Sequence, residues 1–158
     1  KMVYLCEHVS KMNFNTNYTK QAAGPMDNKF IYSIKPHFEK QKWFSIDKVK
    51  SGNYERVQFT PLENVDGYKK YYANYYASVN KDIQHLIDIF KTQKTNDVEL
   101  VATIFSCWDE FNSKSQEFTN EEMIAKIYKW NKSKKKFSEE QIIAAIKWMK
   151  ENKIYPNS

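Results

Sequence analysis

Glycine is scarce in this chain of 158 residues, occurring 3 times, as Gly24, Gly52 and Gly67, each alone. Phosphate-cradling loops need glycines at close, fixed spacing so that backbone amides can approach the anion. G-x-x-x-x-G-K and G-x-G-x-x-G sites are therefore excluded, and nucleotide chemistry with them. Cysteine is limited to Cys6 and Cys107, each within an apolar helical pattern where a free thiol behaves as a small hydrophobe. His8, His37 and His85 are scattered, with no H-E-x-x-H spacing, and read as ordinary helix-surface or boundary residues. No metal and no cofactor is expected. No apolar run approaches the ~20 residues that span a bilayer, and no basic segment with a following apolar run opens the chain. The expectation is a cytoplasmic protein without a membrane partner.

Arginine is the other shortage. The formal charge is +6, from 25 basic and 19 acidic residues, and every basic residue except Arg56 is a lysine. Lysine meets phosphate as a point charge, whereas base edges are most often read by the bidentate arginine fork. Contact with nucleic acid, if made, is expected through the backbone. The acidic residues offer no catalytic pair. Asp109-Glu110 and Glu121-Glu122 are adjacent along helices and so point apart. A metal nuclease would have only Asp47, Lys48, Glu55 and Arg56, alternating on a short hairpin. The chain is not expected to be an enzyme.

Apolar residues are nonetheless plentiful, at 41%, with aromatics at 16%, enough for a globular core. Met2, Leu5, Val9 and Met12 recur at helical spacing and predict a helix over 1–13, followed by a turn from Asn13 to Tyr18. Gly24-Pro25 and Asp27 predict a second helix start, with Phe30, Ile31, Ile34 and Phe38 as its stripe and a kink or restart at Pro36. Residues 43–49 and 54–60, around Ser51-Gly52-Asn53, predict a β-hairpin. Tyr71, Tyr72, Tyr75 and Tyr76, then Ile83, Leu86, Ile87 and Phe90, predict a long helix or a broken pair over 68–92. The tyrosines are either a stacking platform for bases or, more simply, packing.

Val98, Val101, Ile104, Phe105, Trp108 and Phe111 mark a strongly amphipathic helix. Helices over 120–130 and 139–152 should follow, each opened by a capping box: Thr119 with Glu122, and Ser138 with Gln141. The connector between them holds Lys132, Lys134, Lys135 and Lys136. With Lys48, Lys50 and Arg56 on the hairpin, these are the candidate contacts to DNA backbone phosphates, against the plainer reading of solvated charge.

Several segments resemble a known family. Ala22-Ala23-Gly24-Pro25 with Asp27, Lys42-Trp43-Phe44, Thr60-Pro61-Leu62-Glu63 and the Tyr71-Tyr72 and Tyr75-Tyr76 pairs are similar to the first half of a domain appended to the carboxy terminus of bacterial type I restriction-modification polypeptides. Glu99-Leu100-Val101-Ala102-Thr103 with Trp108, Ser133-Lys134-Lys135-Lys136-Phe137 and Trp148-Met149-Lys150-Glu151-Asn152 resemble its later motifs, in the same order. Met26 and Pro36 depart from the pattern. The resemblance points to the specificity subunit more than the restriction subunit. It implies a non-catalytic interaction module that docks other restriction-modification subunits, contacts duplex DNA through backbone phosphates, or both. A stand-alone winged-helix DNA-binding regulator is the alternative. The expected fold is α+β and mostly α: a winged-helix-like unit over 1–66 with a hairpin wing, a connecting helix over 67–96, and a helical carboxy-terminal unit over 97–158, packed as one module.

Overall fold

The computed structural model describes residues 1–52 and 54–156; of Ser51, Tyr54, Glu55 and Arg56 it describes the backbone alone. The chain is α+β and mostly helical, with two small antiparallel sheets. Its compact units divide elsewhere than at the expected boundaries. One joins Lys1–Met26 to Lys81–Ser158, and the other is Asp27–Asn80.

The first unit is built around α5 (Thr95–Asn112), in which Leu100, Val101, Ala102, Thr103, Ile104, Phe105 and Cys107 are all buried. A helix with so broad an apolar surface must be covered on several sides. The cover comes from α1 (Met2–Val9), α6 (Asn120–Trp130), α7 (Glu139–Glu151) and a strand, β2 (Gly24–Met26). The amino terminus thus belongs with the carboxy-terminal helices: Tyr4 of α1 meets Phe105 edge to face, with ring centres 5.9 Å apart. The predicted helix over 1–13 stops at Val9, and Lys11 takes a positive φ of 52° soon after.

Where a helix start was expected at Gly24-Pro25, the chain forms a strand. β1 (Thr19–Gln21) pairs antiparallel with β2, Thr19 opposite Met26. Gly24 has a φ of 111°, a conformation that strains any residue with a side chain. The helix begins one step later: Asp27 caps it, its Oδ1 accepting from the Phe30 amide at 3.0 Å.

Both predicted capping boxes are present. Thr119 Oγ1 accepts from the Glu122 amide at 3.3 Å while Glu122 Oε2 accepts from the Thr119 amide at 2.8 Å, and Ser138 and Gln141 repeat the exchange at 3.3 and 2.9 Å. Each hydroxyl satisfies an amide that the first turn leaves without a partner. Thr119→Ala and Ser138→Ala are each expected to lower stability by about 1 kcal/mol, read from the urea midpoint. A loss of less than a few tenths for both would mean that the caps are incidental.

The second unit holds α2 (Asn28–Lys40), a hairpin and α3 (Tyr68–Tyr75). α2 passes through Pro36 unbroken instead of restarting there. Tyr32, whose carbonyl loses its amide partner, and Pro36 are both exposed, so water can replace the missing donor. β3 (Phe44–Ser51) and β4 (Tyr54–Pro61) pair from Phe44 opposite Pro61 to Ser51 opposite Tyr54. Trp43, at the hairpin's base, gathers Phe38, Tyr68 and Tyr71, with ring centres 5.9, 6.4 and 5.7 Å away. A Cβ on Gly67 would stand 2.8 Å from Trp43 Nε1, so only glycine allows the approach. The 68–92 segment is the broken pair: α3, a 3-10 turn at Ala77–Val79, and α4 (Asn80–Phe90).

Candidate interaction site

In the first unit, three segments far apart in sequence meet on one seam: the β1–β2 turn, the start of α5 and the lysine connector. The connector is a 3-10 turn, Lys132–Lys136, begun by Asn131 Oδ1 accepting from the Ser133 amide at 2.9 Å. Ser133 Oγ donates to the Ala22 carbonyl at 3.2 Å, and Trp130 Nε1 donates to the Gln21 carbonyl at 2.8 Å. These bonds tie the small hairpin to the end of α6 and the turn that follows it.

Glu99 is the electrostatic centre of this seam. Its side chain is 6% exposed and faces Lys134 at 2.9 Å, Lys136 at 3.1 Å and Lys1 at 3.8 Å. The Lys134 side chain is 0% exposed. Burial alone would raise the Glu99 carboxyl, but hydrogen bonds from the Lys134 and Lys136 ammonium groups outweigh it and hold the group below the usual carboxylate range. Burial pushes the Lys134 ammonium down, opposed by Glu99.

The expectation of an exposed lysine connector is corrected accordingly. Lys134 is a core cation and cannot reach a phosphate. Lys136 is exposed but engaged with Glu99 and with Asn96 Oδ1 at 3.1 Å. Lys132 and Lys135 remain exposed. The signal that points to this pair is Glu99 itself: an acid beside Leu100 and Val101, on the buried side of an apolar helix, requires a counter-ion.

On the hairpin, Lys48 stands opposite Val57 and Lys50 opposite Glu55 in the register, with both lysines exposed. Arg56 stands opposite Val49, the alternate position in the pleat, and its side chain lies outside the described residues. Backbone alternation therefore separates Arg56 from the Lys48 and Lys50 positions.

The second unit presents a different surface. Among the described residues it buries no apolar side chain, while Ile31, Tyr32, Val57, Phe59, Tyr68, Tyr71 and Tyr75 are each more than a third exposed. Tyr32 and Tyr75 reach 74%. Tyr68, Tyr71 and Tyr75 follow the i, i+3, i+7 spacing and form one stripe along α3, and Val57 and Phe59 share one face of β4. Tyr72 turns the other way, its hydroxyl donating to Asn80 Oδ1 at 2.7 Å. Tyr72 also meets Tyr76, Tyr68 and Tyr71 lie with one side against Trp43 and the other exposed, and Tyr75 is mostly exposed.

Other polar groups of the first unit have partners within it. Glu7 accepts from the Phe14 amide and from the Thr16 and Tyr18 hydroxyls at 2.7–2.8 Å. Burial would raise its carboxyl, and these donors hold it below the usual range. Glu110 is likewise held low, by Lys20 at 2.6 Å and Lys126 at 3.0 Å, against its own burial. His8 Nδ1 lies 2.9 Å from the Tyr4 carbonyl, and His85 Nε2 lies 3.0 Å from the Asn152 carbonyl. Burial pushes the Cys107 thiol up to about 12 and raises Cys6 as well, so neither is a thiolate at neutral pH. Among the described residues no group of three His, Cys, Asp or Glu is placed to hold a metal, and no helix is long and apolar enough to cross a membrane.

Glu7, Glu99 and Glu110 set an acid limit on stability. A carboxylate whose pKa falls on folding contributes stability that is complete above its unfolded value, ~4.3, and is lost as the pH drops through the lowered folded value. The urea midpoint is expected to be flat from about pH 7 to 5 and to fall steeply below about 4. A midpoint at pH 3 equal to that at pH 7 would contradict the assignment.

No protein-family model, no curated protein and no solved structure matches this chain.

Proposed function

We propose that this chain is a non-catalytic interaction module of a type I restriction-modification complex, and that it docks a partner subunit through the aromatic surface of its 27–80 unit. The observation that carries the reading is the combination of exposed Tyr68, Tyr71 and Tyr75 with exposed Val57 and Phe59, in a unit that buries no apolar side chain among its described residues. Tyrosine-rich apolar surface without cover is the usual composition of the centre of an interface, where a few aromatic anchors supply most of the affinity. The motif resemblance supplies the identity of the complex, with the specificity subunit as the preferred parent polypeptide.

DNA contact is secondary in this reading. Two of the four connector lysines are engaged with Glu99, and the backbone contacts in this reading come from Lys132 and Lys135 there and from the exposed hairpin lysines. The alternative, a winged-helix regulator, rests on α2 and the β3–β4 hairpin as helix and wing, and it predicts binding to one duplex sequence ~10³-fold tighter than to bulk DNA.

Phe59→Ser with Tyr75→Ser tests the proposal, because both positions are exposed and the fold should lose no more than about 0.5 kcal/mol. Affinity for the remaining subunits, measured by interferometry, is expected to fall at least ~10-fold. In parallel, Lys132→Ala with Lys135→Ala should leave subunit binding unchanged. If the lysine pair releases the partner and the aromatic pair does not, the docking surface is misplaced.

A further inference from the structure

Within the first unit, a cleft of about 590 Å³ opens beside the amino terminus of α5 and along α7. That volume suits a small ligand. Its floor is apolar, formed by Phe90, Leu100, Val101 and Trp148, and Phe90 meets Trp148 edge to face at 5.5 Å. Ala144 and Ala145 line the α7 side, where larger residues would fill the space.

The rim is basic. Lys94 is exposed at one edge, and Lys136 is held in place by Asn96 and Glu99, each at 3.1 Å. Lys136 Nζ also stands 5.0 Å from the Phe137 ring centre, so its ammonium is fixed at the cleft edge and acts on a ligand through its charge. Asp97 also lines the cleft, but its carboxylate accepts from the Lys94 backbone amide at 3.2 Å. The lining thus sets two ammonium groups against one carboxylate that already has a donor, above an aromatic floor.

We propose that this cleft binds a small carboxylate carried on an aryl or alkyl body, with the body against Phe90 and Trp148 and the carboxylate at Lys94 and Lys136. The apolar floor excludes a simple inorganic anion as the preferred ligand, because a ligand of that kind would leave the floor wet. The lysine pair selects against cations of the same shape. This site is independent of the docking reading: it uses different residues and stands or falls by itself.

The test uses 4-phenylbutyrate, with 4-phenylbutanol and 4-phenylbutylamine as neutral and cationic controls, titrated into ¹⁵N-labelled protein. A ligand of this size is expected to bind in the low millimolar range. Amide shifts should be confined to the neighbourhood of Lys94–Val101 and Phe137–Trp148, with the acid at least ~5-fold tighter than the amine. Lys94→Gln, at an exposed position, should narrow that preference while alcohol binding stays the same. Ala144→Leu, also at an exposed helix position, should weaken all three ligands. Equal binding of acid and amine, or shifts that spread away from the cleft, would overturn the proposal.

Discussion

Glu99→Ala is expected to destabilise the helical unit by about 3–5 kcal/mol, because it strands Lys134, whose side chain is 0% exposed, without its carboxylate. An ammonium removed from water is tolerable only while the opposite charge and its hydrogen bonds are present. Glu99→Leu with Lys134→Met removes both charges and retains apolar volume. That double variant should be markedly more stable than Glu99→Ala alone, despite carrying one more substitution. The comparison is read from urea denaturation at pH 7 by far-UV circular dichroism. If the single and double variants lose the same amount, the two residues are not a coupled pair. Lys135→Ala, which removes an exposed lysine of the same turn, serves as the control and should change stability by less than about 0.5 kcal/mol.

The second large effect lies one helical turn and a half further along α5. Phe105 is 2% exposed and meets Tyr4 and His8 of α1 edge to face, with ring centres 5.9 and 6.0 Å away. Phe105→Ala is expected to cost about 3–5 kcal/mol through lost burial and the cavity left behind. Since α1 packs on that ring, the amide protons of Tyr4, Leu5 and Cys6 should lose exchange protection together with those of α5. Protection retained in α1 would show that the amino-terminal helix is held by something other than this contact. Tyr75→Ala, which truncates a side chain 74% exposed, should leave the midpoint almost unmoved.

The helical half was legible because its apolar spacing and its caps agree. Thr119 and Ser138 announce helix starts in the chain itself, and Val101, Ile104, Phe105 and Ile142, Ile146, Met149 place the core without reference to distant partners. The hairpin over 44–61 followed from β-branched and aromatic residues around a glycine turn. What failed depended on long-range contacts. β1 and β2 are three residues each and are secured by Trp130 and Ser133, more than 100 positions away. The pairing of α1 with α5, and hence the division of the chain into its compact units, is equally non-local. Lys134 looked like solvent-facing charge because its neighbours Lys132 and Lys135 are solvent-facing; only the three-dimensional position of Glu99 distinguishes it. The candidate site was half visible. The lysines and tyrosines stand out in the chain, but the fold decides which of them are exposed.

The segments that carry the motif resemblance also have a physical role here. Ala22, Gly24, Glu99, Thr103, Ser133 and Lys134 belong to the seam around Glu99, and Lys42 and Trp43 close the hairpin base, where the Leu62 amide donates to the Trp43 carbonyl at 3.0 Å.

The docking claim is tested most directly by hydrogen–deuterium exchange of this chain alone and mixed with the purified subunits of a type I restriction-modification complex. The account predicts new protection over 57–61 and 68–76 on assembly without DNA, with the 132–136 turn unchanged. Protection confined to 132–136 and the β3 lysines, appearing only when duplex DNA is added, would contradict it and make DNA contact the primary function.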